Sequence, residues 1–331
     1  MGCFFSIVIP AYNSENHLNK CLKSVLEQRF ESFEIIIIDD GSVDNTYEIA
    51  KRYEKKDARV RAYKKINGGV ASARNMGIIN AEGKYIVFLD SDDILNEGVL
   101  EQIYSQLSDS DCDMAICNGY VEISGGGEVS FVNIMFGTEI LNRNLPTLEV
   151  KKLCQNLSSM CIAIYRKQFL EEQKLLIEEG ITCGEDTDFF FRALCASKIA
   201  RIIECTMFSY VYNENSVSNN LEYKSIKDVM CICEKRIHNL LDSPSDQIDN
   251  KKALNFFASK YIHFSVKIAT LKGNEKYELI ARLNNEKDIL KYADSAGDMI
   301  FAGMTYIFGA KISVYVFDKL VKARNALKRI K

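Results

Sequence analysis

The chain has 331 residues, 47% of them apolar and 26% charged, with a formal net charge of -3. These values suit a soluble globular protein of one large or two modest domains, and they offer no global attraction to nucleic acid. Eleven cysteines without a Cys-x-x-Cys pair exclude a disulfide framework.

The chain opens MGCFFSIVIP. No basic stretch precedes the apolar run and no small-residue cleavage site follows it, so it reads as a strand and not as a secretory signal. Gly2-Cys3 resembles a lipidation start, but strand use is preferred. Reduced cysteines without an export signal lead to the expectation of a cytoplasmic protein.

FSIVIP (5–10) and FEIIIID (33–39) are continuous apolar runs, predicted to be strands covered on both faces. Between them, Leu18, Cys21, Leu22, Val25 and Leu26 recur with a helical period. Asp44 or Asn45 is placed to cap a helix running to Tyr53, and VRAYK (60–64) predicts a third strand. Asn67-Gly68-Gly69 turns into a helix reaching Ala81, and YIVFL (85–89) is the fourth strand. Strands alternating with helices imply a parallel sheet with helices on both faces. After Gly98 a helix to about Leu107 leads to MAICNGY (114–120), and VEISGGGEVSFV (121–132) predicts a hairpin across Gly125-Gly126-Gly127. The sheet is therefore expected to become mixed in its second half. SKIARIIE (197–204) and MFSYVY (207–212) read as two strand-like segments, and from about Leu221 the pattern is helical only.

The strand 85–89 runs straight into Asp90-Ser91-Asp92-Asp93. Clustered carboxylates at the end of a buried strand are costly unless positive charge shares them. Two readings stand: Ser91, Asp92 or Asp93 caps a following helix, or the cluster holds a divalent metal. Asp-x-Asp spacing alone decides nothing, since the chain holds four such pairs, Asp186/Asp188 among them. Context separates the first pair, because ligands of open α/β sheets bind outside the carboxyl ends of strands. A second strand ends in Asp39-Asp40-Gly41-Ser42 and the first in Pro10-Ala11-Tyr12-Asn13. An aromatic ring and two carboxylate clusters on one sheet edge point to a nucleotide site.

The ordered set IPAYN, DDGSVDNT, NGGVASARNMGI, AEGKYIVFLDSDD and GEDTDFFFRAL resembles the family 2 glycosyltransferases of GT-A fold, of inverting, bacterial surface-polysaccharide type. The resemblance implies a Rossmann-like, mixed and mainly parallel sheet flanked by helices, with a C-terminal helical extension. It implies a nucleotide-sugar-binding half at 1–110, an acceptor half with the base at 111–220, and the extension at 221–331. By the same resemblance Pro10, Ala11 and Tyr12 line the base pocket, and Asp39 or Asp40 accepts a hydrogen bond from uracil. Arg74 reaches the nucleotide, while Asn67, Gly68 and Gly69 allow close backbone approach. Asp90, with Ser91 beside it, touches the ribose or the metal through water, and Asp92 ligates Mg²⁺ or Mn²⁺ bridging the two phosphates. Asp186 is the expected base, favoured as a carboxylate by a helix N-terminus, with Glu185 orienting the acceptor.

What this implies is hexosyl or N-acetylhexosaminyl transfer from a UDP-sugar to an acceptor hydroxyl, in capsule, lipopolysaccharide or other surface-glycan assembly. The acceptor is expected to be a glycan or a lipid-linked saccharide. The alternative is an inactive carbohydrate-binding or scaffold relative of the same fold. One departure concerns the segment after the last strand, where relatives carry His or Arg. Here Tyr210 to Ser218 has neither, leaving Asn213 or Asn215 as weak substitutes. His17, His238 and His263 fall outside every motif and are expected on helix surfaces.

Gly-x-Gly-x-x-Gly is missing after the first strand and no phosphate-loop lysine motif occurs, which sets aside nicotinamide enzymes and P-loop kinases. Residues 299–317 are strongly apolar with one charge, Lys311, and are followed by Lys319, Lys322, Arg324, Lys328, Arg329 and Lys331. This run is borderline for a spanning helix. The alternatives are a core-packing helix with a solvated basic end and, preferred, a helix lying on an anionic membrane surface, so that the protein is peripheral on the inner face of the plasma membrane.

Overall fold

Apolar runs with no polar alternation are stable only as strands covered on both faces. Three such runs form β1 (Phe5–Ala11), β2 (Phe33–Asp39) and β4 (Tyr85–Phe88), buried throughout in the computed structural model. The structure describes residues 3–123, 129–133, 141–146, 159–211, 222–242 and 247–328. β3 (Val60–Lys64) alternates buried and half-buried residues, as an edge strand should. Parallel pairing sets Ala11 opposite Asp39 and Val8 opposite Phe88. The loops after β1, β2 and β4 therefore leave from one edge of the sheet.

Helices α1 (Leu18–Leu26), α2 (Thr46–Lys56), α3 (Val70–Asn80) and α4 (Val99–Leu107) connect these strands and follow the expected periodicity. Of the two candidate caps for α2, Asp44 does the work. Its Oδ1 accepts from the Thr46 backbone N–H at 3.0 Å and hydroxyl at 2.5 Å, while Asn45 makes no side-chain cap bond. α3 lies unusually close to the sheet, because Gly77 has no side chain. A Cβ there would sit 2.2 Å from Val8 Cγ1.

The second half of the sheet is mixed, as expected. The strand order is β3-β2-β1-β4-β9-β6-β10-β5, with β5 (Ile94–Leu95), β6 (Met114–Ile123), β9 (Ala163–Arg166) and β10 (Ile199–Val211). β9 runs antiparallel to both β4 and β6, whereas β10 is parallel to β6. β7 (Val129–Asn133) pairs antiparallel with β6 as the expected hairpin, whose turn at 125–127 lies outside the described residues. β8 (Arg143–Pro146) pairs with β10. The two segments expected at 197–204 and 207–212 form one strand. Its register against β6 slips between Ile203 and Ser209, and the Cys205 N–H freed there donates to Asn118 Oδ1 at 2.9 Å. A side chain thus replaces the missing ladder bond. Short helix α5 (Lys167–Glu172) and helix α6 (Glu185–Ala196) complete this region.

The chain divides into two compact units, Met1–Ile181 with Glu185–Glu214, and Thr182–Gly184 with Asn215–Lys331. The sheet belongs to the first, and its ten strands run through both of the halves expected at 1–110 and 111–220. The second is helical: α7 (Tyr223–Asp242), α8 (Gln247–Lys267), α9 (Gly273–Asn285), α10 (Ala296–Phe308) and α11 (Ala310–Lys328). Buried Glu234 on α7 ties three of them. Its Oε1 accepts from Tyr261 of α8 at 3.1 Å and from Arg282 Nε of α9 at 2.7 Å.

The close approach of α3 yields a stability prediction. Gly77→Ala forces Val8 or the helix to shift, at a cost of about 1–3 kcal/mol for overpacking. Thermal unfolding should show a lowered midpoint; an unchanged midpoint would mean that α3 retreats from β1 without penalty.

Candidate active site

Tyr12 follows β1 and is 51% exposed, while Pro10 and Ala11 are buried. The turn after β1 is fastened to the turn after β2. Asn13 N–H donates to Ser42 Oγ at 2.9 Å, and Val43 N–H donates to Asn13 Oδ1 at 3.1 Å. Ser14 N–H reaches Thr46 Oγ1 at 2.7 Å. The Tyr12 ring is thus presented from an anchored backbone.

The adjacent carboxylates Asp39 and Asp40 have opposite fates. Asp40 is saturated: Oδ1 accepts from Lys65 Nζ at 2.8 Å and Gly68 N–H at 3.0 Å, and Oδ2 accepts from Gly69 N–H at 2.8 Å. It therefore shapes the Asn67-Gly68-Gly69 turn, whose last residue has φ 88, a conformation that favours glycine. Asp39 is fully buried, and its Oδ1 accepts weakly from Ser42 N–H at 3.3 Å. Its Oδ2 has no hydrogen-bond partner, and the nearest cation is Lys64 Nζ at 3.6 Å. A buried acceptor left unsatisfied costs about 1–3 kcal/mol, which a ligand donor would return.

The capping reading of Ser91, Asp92 and Asp93 fails on geometry. After β4 the chain makes a turn, closed by Asp93 N–H on the Asp90 carbonyl at 3.0 Å, and enters β5 at Ile94. The next helix begins only at Val99. Ser91 Oγ lies 2.8 Å from Ser14 Oγ, which ties this turn to the loop after β1. Burial, and then the charge of Asp90, pushes the Asp92 carboxyl upward. Burial, followed by Asp90 and Asp92, pushes Asp93 up to about 9. His17, expected as an ordinary surface residue, stands close enough to oppose the rise at Asp92 electrostatically. Sequence spacing could not show this, since the fold brings together residues 75 positions apart.

Arg74, expected at the nucleotide, is 4% exposed and committed to two carboxylates. Its Nη2 donates to Asp90 Oδ1 at 2.7 Å and its Nη1 to Glu185 Oε1 at 3.3 Å. Burial by itself would weaken its hold on the proton, but the charges of Asp90 and then Glu185 reverse that. The Cys161 thiol, which no motif identified, donates to Asp90 Oδ2 at 3.8 Å. Asn75, the next residue of the Ser-Ala-Arg-Asn segment, was also not singled out. It clamps the chain leading to α6: Oδ1 accepts from Ile177 N–H at 2.8 Å, and Nδ2 donates to the Ile177 carbonyl at 2.9 Å and Glu179 Oε1 at 3.0 Å.

Glu185, Asp186 and Asp188 crowd the first turn of α6, where a helix stabilises negative charge. Asp188 is fully buried and bonded to Arg192 Nε at 2.8 Å, a structural pair. Asp186 is half-buried and accepts from Thr187 N–H at 2.6 Å. Burial, then the neighbouring Asp186, raises Glu185 to about 7, against the pull of Arg74. The expected Glu185 is thus linked to Asp90 through one guanidinium, with the expected Asp186 beside it on the first turn of α6.

Among the described residues no group of three or more His, Cys, Asp or Glu forms a metal cage. Mg²⁺ and Mn²⁺ at a nucleotide need less, one or two carboxylates with phosphate and water completing the shell. Asp92 beside Asp90, raised by burial and mutual repulsion, fits that demand. Asn213 and Asn215 lie outside the described residues.

A family model for glycosyl transferase family 2 matches residues 6–172. EpsJ of Bacillus subtilis, an uncharacterized glycosyltransferase, is 30% identical over 225 residues, 67% of this chain and 65% of EpsJ. GgaB of Bacillus subtilis, a minor teichoic acid biosynthesis protein, is 29% identical over 65% of this chain and 23% of GgaB. The chain therefore spans less than two thirds of either relative. Residues 1–349 of S. aureus TarS, solved in complex with UDP-GlcNAc, share the fold with a TM-score of 0.76 at 18% identity, over 97% of this chain and 92% of that one. With half of its length matched by the family model and a mixed sheet ending in these carboxylates, the chain belongs to glycosyl transferase family 2 and has a GT-A type fold.

Proposed function

We propose that the protein moves a hexose or N-acetylhexosamine from a UDP-sugar to an acceptor hydroxyl with inversion, in the assembly of a bacterial surface glycan. One observation carries the reading above others. Arg74 holds Asp90, at a nucleotide-type strand end, in the same site as the Glu185-Asp186 pair. A nucleoside diphosphate and a base for an incoming hydroxyl would then meet across the sugar. The UDP-GlcNAc complex of the TarS neighbour and the teichoic acid role in the name of GgaB support the donor and setting.

In this reading the Tyr12 ring lies against the uracil face, near Pro10 and Ala11, and Asp39 Oδ2, which has no hydrogen-bond partner, accepts from the uracil edge. Asn67 and Gly69 border the nucleotide with backbone shaped by Asp40. Asp92, with Asp90 and Ser91 beside it, would hold Mg²⁺ or Mn²⁺, which supplies Lewis-acid stabilisation of charge on the departing diphosphate. Asp186 accepts the proton of the attacking hydroxyl as it approaches the anomeric carbon opposite the diphosphate. Arg74 positions Asp90 and Glu185 on one guanidinium, and Glu185 orients the acceptor. A lipid-linked saccharide as acceptor would set this chemistry at the inner face of the plasma membrane.

Release of UDP across a panel of UDP-sugars, with Mg²⁺ or Mn²⁺, tests the reading. One donor should be turned over, and EDTA should stop it. Asp186→Asn should keep UDP affinity while turnover falls by roughly 10²-fold or more, the scale of a lost general base. Silence with every donor would leave an inactive relative, and loss of UDP binding in Asp186→Asn would move this residue to the donor site.

Asp39 and Asp40 should separate cleanly. Asp39→Asn is expected to weaken UDP binding about tenfold with little change in unfolding temperature, in line with one hydrogen bond of about 1–1.5 kcal/mol. Asp40→Asn should lower the unfolding temperature, since it cannot bind Lys65, Gly68 and Gly69 as an anion. Equal effects of both substitutions on UDP affinity would refute the division.

Glu185 sets a pH signature. Its proton leaves near pH 7, well above an ordinary glutamate. The fold favours the protonated form, so any stability tied to it is complete at acid pH and fades as pH rises through about 7. Transfer, which uses the carboxylate, should instead rise through the same interval. Glu185→Gln should flatten that limb of the rate profile, and an unchanged limb would assign it to another group.

A further inference from the structure

Nine of the eighteen exposed large apolar side chains among the described residues fall between Met299 and Val321, on α10 and α11. The two helices were expected to be apolar, but only the structure shows which faces are left uncovered. α10 turns Phe301, Ala302 and Thr305 inward. Its outer face carries Met299, Ile300, Tyr306 and Ile307, at helical spacing, with Ile307 74% exposed. Asp298 is the one charged residue of α10, and it is half-buried and accepts from Ser259 at 2.7 Å. Lys287 and Asp288, both against the Tyr306 side chain, offset one another.

α11 is different in chemistry. Ala310, Ser313 and Val314 are buried, while Ile312, Tyr315 and Leu320 are exposed. Exposed lysines border this stripe: Lys311, Lys319 and Lys322. Lys319 Nζ lies 4.6 Å from the Tyr315 ring centroid, and Lys311 Nζ lies 6.0 Å from that of Tyr277 on α9. Exposed ammonium groups thus stand beside exposed aromatic rings, the disposition that suits an interface between hydrocarbon and anionic headgroups. The single acid of α11, Asp318, is paired with Lys322 at 2.7 Å.

We infer that the outer faces of α10 and α11 form a docking surface for an anionic phospholipid bilayer, lying in its interface without spanning it. No helix among the described residues is long and apolar enough to cross a membrane. An outward face of α10 with no charge of its own seats in the acyl boundary, and the lysines of α11 meet the headgroups. Charge decides against a second copy as the occupant, because a two-fold contact would bring the lysine-bordered stripe of α11 against the same stripe, with Asp318 the one acid on that helix to offset it. The inference deepens the reading of a lipid-linked acceptor and gives that reading a surface.

Flotation of the full chain tests it, using vesicles of phosphatidylcholine alone or mixed with phosphatidylglycerol, at low and high salt. Binding is expected on phosphatidylglycerol vesicles, weak on phosphatidylcholine, and reduced by salt. Replacing Lys311, Lys319 and Lys322 by Gln should lower partitioning about fivefold for each charge removed, the factor given by about 1 kcal/mol per basic residue. Ile300→Ser with Ile307→Ser should abolish binding at both salt concentrations. UDP release from a soluble donor should be unchanged in every variant, so flotation and catalysis fail separately. No flotation of the full chain, indifference to both sets of substitutions, or a concentration-dependent dimer broken by the isoleucine changes without vesicle binding would each overturn the assignment.

Discussion

A guanidinium buried between two carboxylates is the interaction around which the site is built. Arg74 carries a charge that burial makes expensive, and Asp90 and Glu185 stabilise it where it stands. The arrangement is strict in both directions. Removal of either acid would leave a cation at 4% exposure with one carboxylate in place of two, and removal of the arginine would leave both acids without it. Everything that locates α3 therefore locates the chemistry. The helix touches the sheet at Gly77 and Val8, and one residue beyond Arg74 it grips the approach to α6 through Asn75.

The same edge of the sheet holds more negative charge than Arg74 can answer. Asp40 is neutralised by Lys65 and two backbone N–H groups, and Asp188 by Arg192. Asp92 and Asp93 have weaker relief, from His17 and from the Val211 N–H with Arg74, and both hold their protons more tightly than free aspartate. Asp39 keeps a buried oxygen with no hydrogen-bond partner. These costs are borne at positions facing the loops after β1, β2 and β4, while acids elsewhere in the sheet unit, such as Glu34 with Arg61 and Asp113 with Arg166, are paired. Buried acids pushed up in pKa or left short of partners where these three loops meet are the physical mark of a surface awaiting a ligand.

Much of the architecture was legible from the residues. Strands covered on both faces announce themselves as unbroken apolar runs, and the four helices between and after them as 3.6-residue periods, because burial selects side chains position by position. The slipped register of β10 was not legible. A bulge depends on the partner strand and on Asn118 taking over a freed N–H, neither of which leaves a trace in the strand's own residues. In the helical unit, apolar composition marked α10 and α11 but could not say which of their faces stays uncovered.

For the site, the sequence by itself determined the inventory: Tyr12, Asp39, Asp40, Arg74, Asp90, Asp92, Glu185 and Asp186, in an order that resembles one family. Tertiary structure alone decided how they divide the work. Asp39 and Asp40 are chemically identical neighbours, and only the Lys65 and Gly68-Gly69 contacts separate a satisfied acid from an unsatisfied one. Arg74 could have faced solvent until α3 was packed on β1. Residue type fixes which bonds a side chain is able to make. Which of them it makes depends on partners up to 111 positions away in the chain, brought within 3.3 Å by the fold.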